Sequence, residues 1–111
     1  MNEYVQVITA VGSKEEGQQI ARTLVEESLA ACVQIIGPIT SVYRWQGIVE
    51  ESEEWLCLIK STRARYAEIE ATIQALHGYE TPEILVVPVV VGSADYLRWL
   101  DAVVAGEDTD A

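Results

Sequence analysis

His77 is the only histidine of the chain, and imidazole is the commonest protein ligand for transition metals. Glu80 and Glu83 follow it closely and could add carboxylate oxygens. No His-x-x-x-His, Cys-x-x-Cys or His-Glu-x-x-His spacing accompanies them, so the sequence shows no closed tetrahedral site. Two interpretations stay open. His77 belongs to a loose or intersubunit metal site, or it ends a helix and bonds backbone carbonyls.

The two cysteines, Cys32 and Cys57, both lie in apolar runs. A thiolate at Cys32 could bind copper, whereas a reduced and buried thiol is the alternative for both residues. Two cysteines are too few for a disulfide framework. We therefore expect free thiols, with Cys32 as the candidate metal ligand.

Lys60 and two aromatic residues could recognise an organic ligand. Lys60 follows an apolar run, and its ammonium could balance an anionic small molecule or pair with Glu80 or Glu83. Tyr43 and Trp45 have flat faces that could stack on a ligand or pack against another subunit.

The charge balance excludes several classes of partner. The chain has 7 Lys and Arg against 18 Asp and Glu, a net charge of −11. Such a field repels nucleic acids and anionic membrane surfaces, but it permits a cationic partner or a metal ion. No apolar stretch reaches the about 18 residues of a membrane span. The first residues do not resemble a secretory signal, which favours a cytoplasmic setting.

The first half of the chain predicts a strand, a helix and a long hairpin. Residues 4–11 form the strand, and a capping box of Ser13 and Glu16 opens the helix, which ends near Ser28. Strand two runs over 29–45 with an interruption at Gly37-Pro38, which indicates a bulge or an edge position. After a turn at 46–47, strand three returns over 48–60 and places Cys57 near residue 36, away from Cys32.

The second half predicts a helix, a strand and a further helix. Ser61 or Thr62 caps the second helix, which ends at His77-Gly78. Strand four covers 84–91, and its Pro88 indicates a sheet edge. The third helix has an apolar side formed by Tyr96, Leu97, Trp99, Leu100 and Val103.

This order predicts one α+β domain over residues 1–104, with an acidic tail over 105–111. A β-α-β-β-α-β order fits the ferredoxin-like sandwich, in which two helices cover one face of a four-stranded sheet. Strands two and four are then the edges. Strands three and four are apolar on both faces, and the hairpin is longer than usual strands of about 5–6 residues. We therefore expect self-association.

Five ordered blocks resemble one family. They are Leu-Ala-Ala-Cys-Val at 29–33, Ser-Val-Tyr-Arg-Trp-Gln-Gly at 41–47, Ile-Lys-Ser-Thr at 59–62, Leu-His-Gly-Tyr-Glu-Thr-Pro-Glu-Ile at 76–84 and Asp-Tyr-Leu-Arg-Trp at 95–99. With these blocks the chain resembles the CutA family of divalent-cation tolerance proteins over roughly residues 4–103. Gly78 departs from the family pattern, which usually has proline there, and so predicts a freer loop.

The resemblance implies a homotrimer with paired long hairpins, an architecture shared with PII-type signalling proteins. It also implies clefts between subunits, lined by the hairpin and by the loop that holds His77 and Tyr79, and a role in tolerance to divalent metals, copper above all. Lys60 matches the family's Lys-Thr/Ser step.

Two functions follow as hypotheses. The first is a non-catalytic trimer that binds copper or zinc. The second is a PII-like sensor that binds a small anionic metabolite near Lys60 and acts through a protein partner, which is an analogy of fold. No nucleophile and base can be paired from the spacing, so we expect no enzyme.

Overall fold

The computed structural model describes residues 3–106, and residues 107–111 of the predicted acidic tail lie outside the described part. The sheet has the order β2-β3-β1-β4, and all neighbouring strands are antiparallel. The predicted α+β ferredoxin-like order and the two edge strands are confirmed. The elements are β1 Tyr4–Val11, α1 Lys14–Glu26, β2 Cys32–Trp45, β3 Ile48–Thr62, a 3-10 turn Arg63–Arg65, α2 Tyr66–Leu76, β4 Ile84–Pro88 and α3 Ala94–Val104.

The core lies between one face of the sheet and the helices α1 and α2. Alternate residues of β1 and β3, such as Val7 and its partner Ile59, point to this side and are fully buried. They meet Ile20 of α1 and Ile69 and Ile73 of α2, which recur at helical spacing. Ile69 and Ile73 thus form the buried face of α2.

The β2–β3 hairpin has the predicted turn and a bulge at the predicted position. Gln46 and Gly47 both have positive φ, 51° and 83°, as a tight two-residue turn requires. Between Ile36 and Ile39 the pairing shifts, because Gly37 and Pro38 together stand opposite a single residue of β3. The bulge moves the partner of Cys57 from the predicted residue 36 to residue 35.

Three element ends differ from the predictions. Neither Ser61 nor Thr62 caps a helix, because the Ser61 hydroxyl donates to Leu29 O at 2.6 Å and Thr62 makes no side-chain capping bond. Strand β2 begins at Cys32 and not at Leu29. The backbone N–H groups of Leu29 and Ala30 still donate to the carbonyl oxygen of Leu24 at the end of α1. Strand β4 ends at Pro88 and not at residue 91, although the N–H of Val89 still donates to the carbonyl oxygen of Tyr4 at 2.9 Å.

The second face of the sheet is only partly covered. Helix α3 packs Leu100 and Val104 against Ala31 at one end of this face. Ile36 and Leu85 remain 49% and 57% exposed there. The molecule is elongated, 46 × 26 × 23 Å. A single copy therefore presents an apolar sheet face of the kind that marks an interaction surface.

None of the helices within residues 3–106 combines the length and the apolar character needed to cross a membrane.

We expect the substitution Gly37→Ala to destabilise the hairpin. A Cβ at this position would lie 2.3 Å from the Trp55 ring, so the ring or the backbone must move. The free energy of unfolding should fall by about 1–3 kcal/mol, measured by urea denaturation. In a Trp55→Leu background the same change should cost less, because the ring is gone. Equal costs in both backgrounds would contradict this explanation.

Candidate functional site

His77 ends α2, and its side chain is fully buried. Its Nε2 lies 2.7 Å from the carbonyl oxygen of Ala10, and its Nδ1 accepts the backbone N–H of Tyr79 at 3.1 Å. These contacts fit the tautomer with the proton on Nε2. Because both nitrogens already bond the backbone, the ring has no free lone pair for a metal. The geometry favours the interpretation in which His77 bonds backbone groups, although the carbonyl belongs to β1 and not to α2.

Glu16 forms a hydrogen bond with Gly78, the residue that follows His77. The backbone N–H of Glu16 donates to the Ser13 hydroxyl at 3.1 Å, which is one half of the predicted capping box. Its carboxylate does not return to the N–H of Ser13. It accepts the N–H of Gly12 at 3.4 Å and the N–H of Gly78 at 2.5 Å. A proline at 78 would have no N–H to donate, so glycine here adds a hydrogen bond while it gives up a fixed φ.

Tyr79 connects this loop to the hairpin. Its hydroxyl donates to the carboxylate of Glu54 at 2.8 Å, and its ring lies 4.8 Å from the ring of His77. Burial, together with the hydrogen bond to Glu54, raises the pKa of the Tyr79 hydroxyl. Tyr79 therefore stays a neutral donor. Glu54 is only 8% exposed although it carries a carboxylate.

A groove of about 730 Å³ lies between the hairpin and the loop 78–83. Tyr43 pairs with Glu50 across the hairpin, and Trp45 pairs with Ile48, so both rings lie on the same face as Glu54. Among the described residues, no Lys, Arg or His lines the groove. The lining residues are Ala10, Ser41, Val42, Tyr43, Trp45, Glu50, Glu54, Gly78, Tyr79, Glu80, Thr81 and Glu83.

The predicted site residues separate into two groups. Glu80, Glu83, Tyr43, Trp45 and Tyr79 meet at this groove, which below we call the acidic groove. Glu54 also lines the groove and is not among the predicted site residues. Side chains two or four residues apart on a strand point to the same face, so this alternation would have placed Glu50 and Glu54 together.

Cys32 and Lys60 lie away from the acidic groove. They pair with each other across β2 and β3, near the opposite end of the sheet. The Lys60 ammonium donates to the side-chain oxygen of Gln6, and neither Glu80 nor Glu83 forms an ion pair with it. Within residues 3–106, no three His, Cys, Asp or Glu side chains come close enough to hold a metal ion. One chain thus does not assemble the predicted ligand set.

Both thiols are free, and their environments differ. Cys57 is fully buried in the core, whereas Cys32 is half-buried. Burial, and to a smaller extent the Glu16 carboxylate, raises the pKa of the Cys57 thiol from 9.0 to about 11. Cys57 is therefore a small apolar core residue at neutral pH.

The family can be decided by comparison with known proteins. The family model for the CutA1 divalent ion tolerance protein matches residues 5–103. The chain belongs to the CutA1 family. The CutA divalent-cation tolerance protein of Thermus thermophilus is 46% identical over 94 residues, which are 85% of this chain and 91% of that protein.

Solved CutA structures share the fold. The Thermus thermophilus CutA1 structure has a TM-score of 0.84 and 45% identity, and it covers 90% of this chain and 95% of its own. The Archaeoglobus fulgidus structure has a TM-score of 0.87 and 35% identity, covers 94% of this chain and 99% of its own, and is described as a periplasmic divalent cation tolerance protein. The CutA fold and the resemblance seen in the five blocks are thereby confirmed.

We expect His77→Ala to act mainly on stability. The change leaves a cavity and removes the partners of Ala10 O and the Tyr79 N–H, so the free energy of unfolding should fall by about 2–4 kcal/mol. Chemical denaturation measures this. Gln74→Ala, an exposed position on α2, is the control and should stay within about 0.5 kcal/mol of wild type. A loss no larger than the control's would contradict a structural role for the ring.

We expect Cys57 to resist alkylation in the native protein. In a Cys32→Ser variant, iodoacetamide at about pH 8 should label no thiol until denaturant is added, because the thiolate is the reactive form. The raised pKa also means that folding favours the protonated thiol. This stabilisation is present below pH 9.0 and is lost as the pH rises towards about 11. Rapid native labelling, read by mass spectrometry, would contradict the burial of Cys57.

Proposed function

We propose that this CutA protein is a non-catalytic homotrimer that binds divalent cations at the acidic groove and supports tolerance to metal ions. One observation carries the proposal: four glutamates line the groove and no basic side chain among the described residues balances them. A carboxylate cluster in a concave surface attracts cations because the low-dielectric walls concentrate its field. The family description of divalent ion tolerance agrees with this chemistry.

Oxygen ligands determine which metals would bind best. The side chains of Glu80 and Glu83 offer carboxylates, while His77 has both ring nitrogens occupied and Cys32 lies away from the groove. Because one chain does not gather three ligands, water or a neighbouring subunit must complete the coordination. Affinity at such a site follows the Irving–Williams order, so Cu²⁺ should bind more tightly than Zn²⁺.

The uncovered sheet face supports assembly. Ile36, Leu85 and Val87 are exposed apolar residues on the face opposite α1 and α2, and the tip of the hairpin has unpaired edges. Closed symmetry buries such surfaces in every copy at once. Three copies, as the CutA resemblance implies, would place the hairpin of one subunit against the next.

The alternative function receives less support from this geometry. A PII-like sensor would bind an anionic metabolite, but the groove is acidic and would repel an anion. Lys60, its proposed counter-charge, does not line the groove and bonds Gln6 instead. In that alternative, a protein partner that recognises the metabolite-bound sensor stays a proposal. We keep the cytoplasm as the proposed compartment, because two free thiols suit a reducing environment.

Titration calorimetry with Cu²⁺ and Zn²⁺ tests the metal function. The double substitution Glu80→Gln with Glu83→Gln should weaken Cu²⁺ binding about ten-fold or more, a loss of about 1.4 kcal/mol. Glu26→Gln, an exposed glutamate at the end of α1, is the matched control and should not change it. Light scattering on the same samples should give three times the chain mass of 12.3 kDa.

Two results would contradict the proposal. Cu²⁺ affinity that is equal in wild type, double variant and control would remove the groove as the metal site. A mass of one chain for folded wild type would remove the trimer.

A further inference from the structure

The contacts of His77 leave no place for a second proton on its ring. The side chain is fully buried. Nε2 lies 2.7 Å from the carbonyl oxygen of Ala10, and Nδ1 accepts the backbone N–H of Tyr79 at 3.1 Å. A second proton would have to bind Nδ1, where it would meet the N–H of Tyr79, and two donors do not form a hydrogen bond. Protonation of the ring is therefore incompatible with the bond that holds Tyr79.

Glu16 offers a doubly protonated ring a different partner. Its Oε2 lies 3.7 Å from Nδ1 of His77 and accepts the backbone N–H of Gly78 at 2.5 Å. A hydrogen bond between an imidazolium and a carboxylate is stronger than one from an uncharged backbone N–H. A proton on Nδ1 would therefore compete with Gly78 for this oxygen. The two bonds that hold the start of the loop thus depend on the same ring nitrogen.

The other titratable groups near the ring are Glu16 on α1, Tyr79 in the loop, and Cys57 and Glu54 on β3. Tyr79 lies 4.8 Å from His77 between ring centres, and Cys57 interacts with the Glu16 carboxylate. Burial raises the pKa of both the Tyr79 hydroxyl and the Cys57 thiol, so both keep their protons near neutral pH. No Lys or Arg within residues 3–106 forms an ion pair with Glu16 or Glu54. Histidine is the residue type that ordinarily titrates between pH 5 and 8, so His77 is the group that responds to mild acid.

We propose that His77 is a pH-sensitive switch for the loop 78–83. Protonation of Nδ1 moves the ring from Tyr79 to Glu16, the backbone N–H groups of Gly78 and Tyr79 are released, and the loop leaves the hairpin. This loop forms one wall of the acidic groove, so the groove keeps both walls at neutral pH and loses one in mild acid. The inference goes beyond the cation function proposed above and holds whether or not the groove binds a metal ion.

Hydrogen exchange of the Tyr79 backbone amide, followed by NMR in the assembled protein, tests the proposal. Opening of the loop takes up one proton, which an ordinary histidine binds below about pH 6.5. After correction for the intrinsic exchange rate, the protection of Tyr79 should therefore fall about ten-fold between pH 7.5 and pH 5.5. Ile59, fully buried on β3, is the internal control. At pH 5.5 its amide should stay at least about ten-fold better protected than that of Tyr79, because the opening is local.

Two substitutions separate the switch from a general effect of acid. His77→Gln keeps a donor for Ala10 and an acceptor for Tyr79 but does not titrate, so the fall in protection should shrink to less than about two-fold. Glu16→Gln keeps an acceptor for Gly78 and removes the charge that receives the imidazolium, so the fall should shrink to about three-fold or less. Glu16→Gln leaves His77 in place, so it tests the switch even if His77→Gln does not fold.

Four results would overturn the proposal. They are equal protection of Tyr79 at both pH values in wild type, a ten-fold fall that persists in His77→Gln, a fall in Glu16→Gln as large as in wild type, and equal protection of Tyr79 and Ile59 at pH 5.5. The last would show that only global unfolding releases the loop. All samples are free of Cu²⁺ and Zn²⁺, so failure of the metal function would leave these results unchanged.

Discussion

The hydrogen bond from the Tyr79 hydroxyl to the Glu54 carboxylate determines whether the acidic groove exists. It joins the loop after α2 to the hairpin, two parts of the chain that have no other bond between side chains in the described residues. The loop can reach the hairpin because His77 holds it to Ala10 and Glu16 holds Gly78. Without these contacts, one wall of the groove would be free to move away.

These contacts also explain why polar groups appear at the end of an otherwise apolar core. The Ala10 carbonyl is at the end of β1, where the ladder no longer supplies every partner, and a fully buried imidazole satisfies it. The Glu16 carboxylate accepts the backbone N–H of Gly12, which precedes α1, and the N–H of Gly78, which follows α2. An unpaired group at this depth would cost about 1–3 kcal/mol. The network therefore supports the loop by satisfying the backbone around it.

Much of the fold could be predicted from sequence, because it depends on local patterns. The strand over 4–11, the start of α1 after Ser13 and the turn at Gln46-Gly47 each involve neighbours in the chain. The predicted cap at Ser61 failed because its hydroxyl has a tertiary partner, Leu29 O, that no local pattern shows. The one-residue error in the partner of Cys57 came from the bulge at Gly37-Pro38, which the sequence indicated only as an alternative to an edge position.

The site was harder to predict, because its chemistry depends on contacts between distant segments. Histidine and cysteine are residue types that suggest metal ligands. In the structure, however, both ring nitrogens of His77 bond backbone groups, and Cys32 lies away from the groove. Conversely, no motif in the sequence singles out Glu54. Only the position of Tyr79, 25 residues later, shows that its carboxylate is buried.

Anomalous scattering from crystals soaked with Cu²⁺ tests most directly the claim that cations bind where carboxylates meet the aromatic rings. We expect an anomalous peak inside the acidic groove, within coordinating distance of Glu80 or Glu83, and no peak on the ring of His77. A peak at Cys32 with none in the groove would contradict cation binding at the groove.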